Sequence, residues 1–239
     1  MLGDATEASP TIWNNLIYDS GADVMEYGIN METNSVGSIT SPQIYHNTIY
    51  GNDFFSGVDG IYIDNTSGTD AQPDIQYNII TNFYEYGIDN NLGSPAIDYN
   101  DVWDNSYGNY DNCSAGLNNI SVDPQFITPG SDFHLQTTPS VSPCIDTIPP
   151  LGNPAPGDIE GTSRPQGSDN DMGCYETTLL TYYTLNVYVS PSPGGCVTSL
   201  DGHIACPSMS CSYGGYISGY YFCHWEGRSK LQAAQPMLA

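Results

Sequence analysis

The chain is predicted to be an all-β parallel solenoid, and three observations predict it. The 239 residues include 25 Gly and 19 Tyr with many Asn, a turn-rich and strand-favouring mixture with little helical character. Four segments align without gaps: Ser9-Pro-Thr-Ile-Trp-Asn-Asn-Leu-Ile17, Ser41-Pro-Gln-Ile-Tyr-His-Asn-Thr-Ile49, Gln72-Pro-Asp-Ile-Gln-Tyr-Asn-Ile-Ile80 and Ser94-Pro-Ala-Ile-Asp-Tyr-Asn-Asp-Val102. Their prolines, Pro10, Pro42, Pro73 and Pro95, are 32, 31 and 22 residues apart, so a constant motif carries loops of variable length at one place.

Each position has a physical reason. Counting from the proline, position +2 is Ile12, Ile44, Ile75 and Ile97, and position +7 is Ile17, Ile49, Ile80 and Val102. These β-branched residues centre strands of three or four residues, too short to persist as hairpins. They become stable when successive repeats stack at about 4.8 Å and bury a shared aliphatic column. Position +5 is Asn15, Asn47, Asn78 and Asn100. An amide both donates and accepts, so a column of them is expected to form an internal structural ladder. The first three repeats add a second element, Gly28-Ile29, Gly60-Ile61 and Gly87-Ile88.

Charge excludes several partners. The chain has 27 Asp+Glu but three Lys+Arg, for a net charge of −24 at pH 7. The bases are Arg164, Arg228 and Lys230, so no cation precedes residue 164. Nucleic acid is excluded because phosphate-backbone affinity comes from several Lys/Arg, and docking on an anionic membrane is excluded on the same ground. No apolar run reaches membrane-spanning length.

The pattern Pro-x-Ile-x-x-Asn-x-Ile followed by Gly-Ile resembles the right-handed parallel β-helix repeat of pectin-lyase-like proteins, over residues 9–105. A second string follows: Asn119-Ile-Ser-Val-Asp-Pro-Gln-Phe126, Asp132-Phe-His-Leu135, Ser142-Pro-Cys-Ile-Asp146, Asp158-Ile-Glu-Gly161, Arg164-Pro165 and Asp171-Met-Gly-Cys-Tyr-Glu176. It is similar to the C-terminal end of bacterial β-helix proteins that carry surface-anchoring or sorting tails. The resemblance implies an exported protein, extracellular or on the cell surface of a bacterium. The expected organisation is β-helix coils over 1–117, a closing region over 118–178, a small incomplete β module over 179–227 and a disordered tail over 228–239. Residues 1–15 have no signal-peptide pattern, and a full repeat begins by Ser9, so an N-terminally truncated solenoid with further coils upstream is expected.

In the third segment, Tyr182-Tyr-Thr-Leu-Asn-Val-Tyr-Val189 alternates as a strand does. Gly195-Cys-Val-Thr-Ser199, Ile204-Ala-Cys206, Cys211-Ser-Tyr213 and Trp225-Glu-Gly227 resemble a small all-β repeat appended to bacterial surface proteins, but the strand expected between Tyr216 and Tyr221 is largely missing. Two chemistries fit His203, Cys206, Cys211, Cys223 and His224: a zinc site, or a Cys206–Cys211 disulfide, which the inferred oxidising compartment favours. Cys144 and Cys174 both lie in the closing signature and are candidates to pair, leaving Cys113 as a free thiol and Cys196 to pair in the terminal module.

Enzyme motifs are scarce. Lyases of the resembled class use Lys or Arg as base, and the four repeats contain neither. The clustered aspartates of the hydrolases, with their downstream His and basic motif, are also absent, so no catalytic residue is assigned. Glu32 and Asp64 occupy one position in successive repeats, with Asn91 at the third. In register they would be a weak Ca²⁺ candidate or an acid pair, against the plainer reading of solvated loop acids. No other cofactor is expected. Positions +3 and +8 give Trp13, Tyr18, Tyr45, Tyr50 and Trp103. Strand alternation turns these outward, where flat rings suit a polysaccharide or cell-surface glycan, or where they pack under loops. His46 and His134 have no evident partner. The expected function is an exported β-helix scaffold without catalysis that contacts carbohydrate through its exposed sheet. The alternatives are a fragment of a carbohydrate-active enzyme, and an adhesin or structural repeat protein.

Overall fold

Each Pro-x-Ile-x-x-Asn-x-Ile unit holds two three-residue strands, because the β-branched residues at +2 and +7 favour extended backbone on either side of a sharp turn. The computed structural model describes residues 9–18, 27–32, 39–51, 58–65, 70–150, 155–178, 212–217 and 220–224. Its strands are β1 (Thr11–Trp13), β2 (Leu16–Tyr18), β3 (Tyr27–Glu32), β4 (Ile39–Thr40), β5 (Gln43–Tyr45), β6 (Thr48–Tyr50), β7 (Asp59–Asp64), β8 (Asp70–Ala71), β9 (Asp74–Gln76), β10 (Ile79–Thr81), β11 (Tyr86–Asn91), β12 (Ala96–Asp98), β13 (Asp101–Trp103), β14 (Gly108–Asp111), β15 (Phe126–Thr128), β16 (Asp132–Leu135), β17 (Ser212–Ile217) and β18 (Tyr220–His224). Among the described residues there is no helix. The chain divides into two compact units, Met1–Leu180 and Thr181–Ala239.

In the first unit, equivalent strands of successive repeats pair in parallel and build three four-stranded sheets: β1-β5-β9-β12, β2-β6-β10-β13 and β3-β7-β11-β14. This stacking is consistent with a parallel β-solenoid. The register places like residue over like residue. Ile12 pairs with Ile44, Ile44 with Ile75, and Ile75 with Ile97. In the second sheet Ile17, Ile49, Ile80 and Val102 align, and in the third Ile29, Ile61, Ile88 and Tyr110. Ile44, Ile49, Ile61, Ile75, Ile80 and Ile88 are completely buried. Each such side chain contributes about 2 kcal/mol of transfer free energy.

The asparagines between the first two sheets join the layers. The Oδ1 of Asn47 accepts from both the backbone N–H and the Nδ2 of Asn15, at 3.0 and 2.9 Å. The same double contact links Asn47 to Asn78, Asn78 to Asn100 and Asn100 to Asn119. Each Nδ2 also reaches the carbonyl of the preceding layer's +2 isoleucine: Asn47 to Ile12, Asn78 to Ile44, Asn100 to Ile75. Asn119 extends the ladder by one rung beyond the four repeats, and the isolated parallel bridge from Asp101 to Ile120 begins a fifth layer there. The residue before each asparagine makes the turn in a left-handed conformation, with φ of 52° at Asn14, 52° at His46, 64° at Tyr77 and 55° at Tyr99. Asn14 and His46 are residue types enriched in this conformation, whereas Tyr77 and Tyr99 are not.

Close packing makes glycine obligatory where the third sheet turns inward. A Cβ on Gly60 would collide with the carbonyl oxygen of Gly87 and the Cγ2 methyl of Ile80, and would press on Phe83. Gly60→Ala is expected to cost about 1–3 kcal/mol, the usual penalty of overpacking a filled core. Urea unfolding measures it, and a midpoint equal to the wild type's would contradict this packing.

Residues 118–178, expected to close the C-terminal end, run instead along the flank of the stack and reach Asn14, Tyr18, Thr48 and Tyr77 of its first three layers. The antiparallel hairpin β15–β16 and the following segments form a second core: Phe126, Phe133, Leu135, Cys144, Ile145, Ile148 and Met172 pack against Tyr45, Tyr77 and Ile79. A buried ionic knot holds it. Arg164 Nη1 contacts Glu176 Oε2 at 2.8 Å, both side chains fully buried, and Arg164 also donates to the carbonyls of Asp171 and Gly173. Asp158 accepts the backbone N–H of Glu160, Thr162 and Glu176. Burial, followed by the nearby Glu176, raises the Asp171 carboxyl to about 7. Among the described residues Arg164 is the one Lys or Arg, and it is committed to this knot.

In the second unit β17 and β18 pair antiparallel, with Tyr216 opposite Tyr221. Of the run between these two tyrosines, Ile217 and Tyr220 are strand residues, and Ser218 and Gly219 lie outside the described residues.

Candidate functional site

Three outer faces result from the three sheets, and the closing region treats them differently. Its core engages β2, β5, β6 and β10 and the tyrosines of the turns, and includes no residue of β3, β7, β11 or β14. The aromatic residues at +3 and +8 therefore part company. Tyr45 is buried, its ring tilted on Tyr77 and its hydroxyl donating to Asp74. Burial, followed by that hydrogen bond to Asp74, pushes the phenol far above its ordinary value. Tyr50 is half-buried edge-on against Phe126 and Phe133. Tyr18 is 46% exposed with one face on Phe133, Trp13 is 41% exposed, and Trp103 is half-buried beside Thr81. The five rings do not form one flush outer surface. Tyr45 and Tyr50 are held by the closing region, a contact made by residues more than seventy positions downstream.

The third sheet presents a different face. Its strands β3, β7 and β11 are six residues long and leave polar side chains pointing outward between the buried isoleucines. Glu32 pairs with Asp64, and Asp64 with Asn91, so the column at this position is in register. Glu32 Oε1 accepts from Asn30 Nδ2 at 3.1 Å, and Asp64 Oδ1 accepts from Asn91 Nδ2 at 3.4 Å. Asn30 and Glu32 are exposed; Tyr62, Asp64 and Asn91 are partly so. Beside them the rings of Tyr27 and Tyr62 stack 4.8 Å apart with 17° between their planes. Among the described residues no three His, Cys, Asp or Glu side chains gather as a metal-binding group.

Sequence reasoning did not single out a second acidic group on the same sheet. Asp89 pairs with Asp111 across the last two layers. Burial, together with the charge and hydrogen bond of Asp111, raises the Asp89 carboxyl to about 6. Asp59 is buried and accepts the backbone N–H of Tyr86 at 2.8 Å. Desolvation lifts it also to about 6. Asp59 precedes one Gly-Ile pair and Asp89 follows the next, and their common sheet is visible only once the register is known.

The three described cysteines take an arrangement other than pairing. Cys113, Cys144 and Cys174 are free thiols. Instead of bonding to Cys174, the fully buried Cys144 donates to Asp101 Oδ2 at 3.1 Å. Burial raises Asp101 to about 6 and raises the Cys144 thiol far above its ordinary range. The backbone N–H of Cys174 donates to Thr48 Oγ1. Cys113 is half-buried against the Ile88 carbonyl. His203, Cys206 and Cys211, the side chains of Cys223 and His224, and the tail over 228–239 lie outside the described residues. The two remaining histidines both have neighbours: His46 is buried on the Tyr77 ring, and His134 sits between Asp132 and Glu160, 4.0 Å from the ring of Tyr175.

Comparison of the chain with protein-family models, with curated proteins and with solved structures finds no match.

Proposed function

We propose that this chain is an exported or cell-surface right-handed β-helix scaffold of the pectin-lyase-like type, acting without catalysis and contacting carbohydrate through the outer face of its third sheet. The observation that carries the reading is the in-register column Glu32–Asp64–Asn91 beside Tyr62, on a face that the closing region leaves out of its core. Carboxylates and amides held at layer spacing can pair with adjacent sugar hydroxyls, and an aromatic edge supplies apolar contact to a ring's C–H face. The absence of cations on the four repeats directs the surface to neutral or amine-bearing glycans and away from uronates. The closing region's likeness to bacterial surface proteins supports the compartment.

A glycan array tests this. The wild type is expected to bind a defined set of glycans. Tyr62→Ala is expected to weaken binding roughly tenfold, about the 1.4 kcal/mol of one aromatic contact, while Trp103→Ala leaves it unchanged. No binding to any glycan, or full retention in Tyr62→Ala, overturns the assignment. The alternative of a carbohydrate-active enzyme fragment gains one observation, the Asp89–Asp111 neighbours across two layers, with the Asp89 carboxyl raised by burial. Release of reducing sugar from an array ligand, lost in Asp89→Asn, would establish that alternative.

A further inference from the structure

The last two layers of the third sheet hold three tyrosines at one corner. Tyr107 is 60% exposed, the most open tyrosine of the described residues that stack on another ring. Its ring lies 5.5 Å from that of Tyr84 at 46° and 6.0 Å from that of Tyr86 at 83°. The backbone holds this pair in place: Ser106 N–H donates to the Phe83 carbonyl at 2.9 Å, and Tyr107 N–H to the Glu85 carbonyl at 3.0 Å. Both rings therefore sit on adjacent layers whose spacing is fixed from either side.

The geometry points to a site of oxidative cross-linking, a covalent bond between Tyr84 and Tyr107 that staples the third layer to the fourth. In a coupled tyrosine pair the new carbon–carbon bond joins the positions ortho to the two hydroxyls, so the hydroxyls end side by side. Rings held with centroids 5.5 Å apart at 46° on a fixed backbone need only a side-chain rotation to bring those ortho carbons together, the advantage of preset proximity. The co-reactant is hydrogen peroxide turned over by a haem peroxidase. It removes one electron and one proton from each phenol, and exposed Tyr107 is the point of access. The two radicals join through one ortho carbon each, and the hydrogen on each joining carbon moves to its phenol oxygen as the rings regain aromaticity. Two C–H bonds are lost and one C–C bond is gained, while the peroxide O–O bond is reduced to two waters. Other pairs are less well placed. Tyr27 and Tyr62 stack face to face, which coupling would have to undo. Tyr45 and Tyr77 are buried away from an oxidant and tilted at 5.8 Å.

The full chain treated with a haem peroxidase and hydrogen peroxide tests the site. The expected product is a monomer with blue dityrosine fluorescence and a mass lower by two hydrogen atoms. Digestion by a protease that cuts at acidic residues should yield one cross-linked peptide containing Tyr84 and Tyr107. Tyr107→Phe and Tyr84→Phe, each able to keep its packing, are expected to abolish that peptide, while Tyr18→Phe leaves its yield unchanged. The linked protein is expected to unfold at a temperature several degrees higher than the untreated one. A link mapped to any other pair, persistence of fluorescence in Tyr107→Phe, or only intermolecular dimers would overturn the proposal.

Discussion

Arg164→Met is expected to lower the unfolding free energy by about 3–5 kcal/mol, the cost of removing one partner from a fully buried ion pair. The substitution keeps most of the side-chain volume, so a cavity is not the cause. It leaves Glu176 Oε2 with a buried charge opposed by no cation, and strips the Asp171 and Gly173 carbonyls of their donors. Glu176 cannot relax outward, because its oxygens also accept the backbone N–H of Gln166 and Asp171. A domain with ordinary stability of about 5–15 kcal/mol would be left marginal by such a loss. Hydrogen exchange read against urea concentration distinguishes where the damage falls. Amides of 142–176 are expected to lose protection first, with those of Ile44, Ile75 and Ile80 retaining theirs longer. A variant within 1 kcal/mol of the wild type would mean that the knot is electrostatically idle. Arg164→Lys is expected to recover only part of the loss, since an ammonium cannot reach one carboxylate and two carbonyls with the same planar fork.

The layered part of the fold is legible because its period is written in residue types that have one physical use. Ile12, Ile44, Ile75 and Ile97 can satisfy a three-residue strand only by stacking, and the register does align them. The asparagine column is visible for the same reason as far as Asn100. Its last rung, Asn119, is hidden because no Pro-x-Ile precedes it, and the same residues open the closing signature. The left-handed turn at +4 is barely legible, since only Asn14 is a common turn residue. His46, Tyr77 and Tyr99 occupy it, residue types that carry no turn signal, and the ladder on either side imposes the conformation. The site is harder still. Alternation alone turns Tyr45 and Tyr50 outward, but Tyr50 packs on Phe126 and Phe133, a contact across most of the unit, and Tyr45 packs on Tyr77 of the next layer. Spacing along the chain carries no record of such a contact. The Glu32–Asp64 column sits in both readings because it depends on register, which the repeat specifies.

Asn78→Leu is the sharpest test of that register, and a loss of about 3 kcal/mol or more is expected. Leucine has nearly the shape of asparagine and would satisfy the aliphatic column on either side, so packing alone predicts little change. The hydrogen bonds predict a large one. Asn78 Nδ2 donates to the carbonyls of Ile44 and Gln76 and to Asn100 Oδ1, and its Oδ1 accepts the backbone N–H and the side chain of Asn47. Asn47 and Asn100 are fully buried, so no water takes these places. Each buried group left unpaired costs about 1–3 kcal/mol. The loss must also depend on place. Among the described residues Asn15 is the terminal rung and is exposed, and its side-chain amide donates to the Trp13 carbonyl and to Asn47 Oδ1. Asn15→Leu should therefore cost about 1 kcal/mol or less, because water replaces what the leucine removes. Urea midpoints of the two variants, measured with a common slope, give the comparison directly. Equal losses at the two positions would show that the asparagines act singly, as turn caps within their own layers. A loss concentrated at Asn78 would show that the ladder is a continuous bond running through the stack.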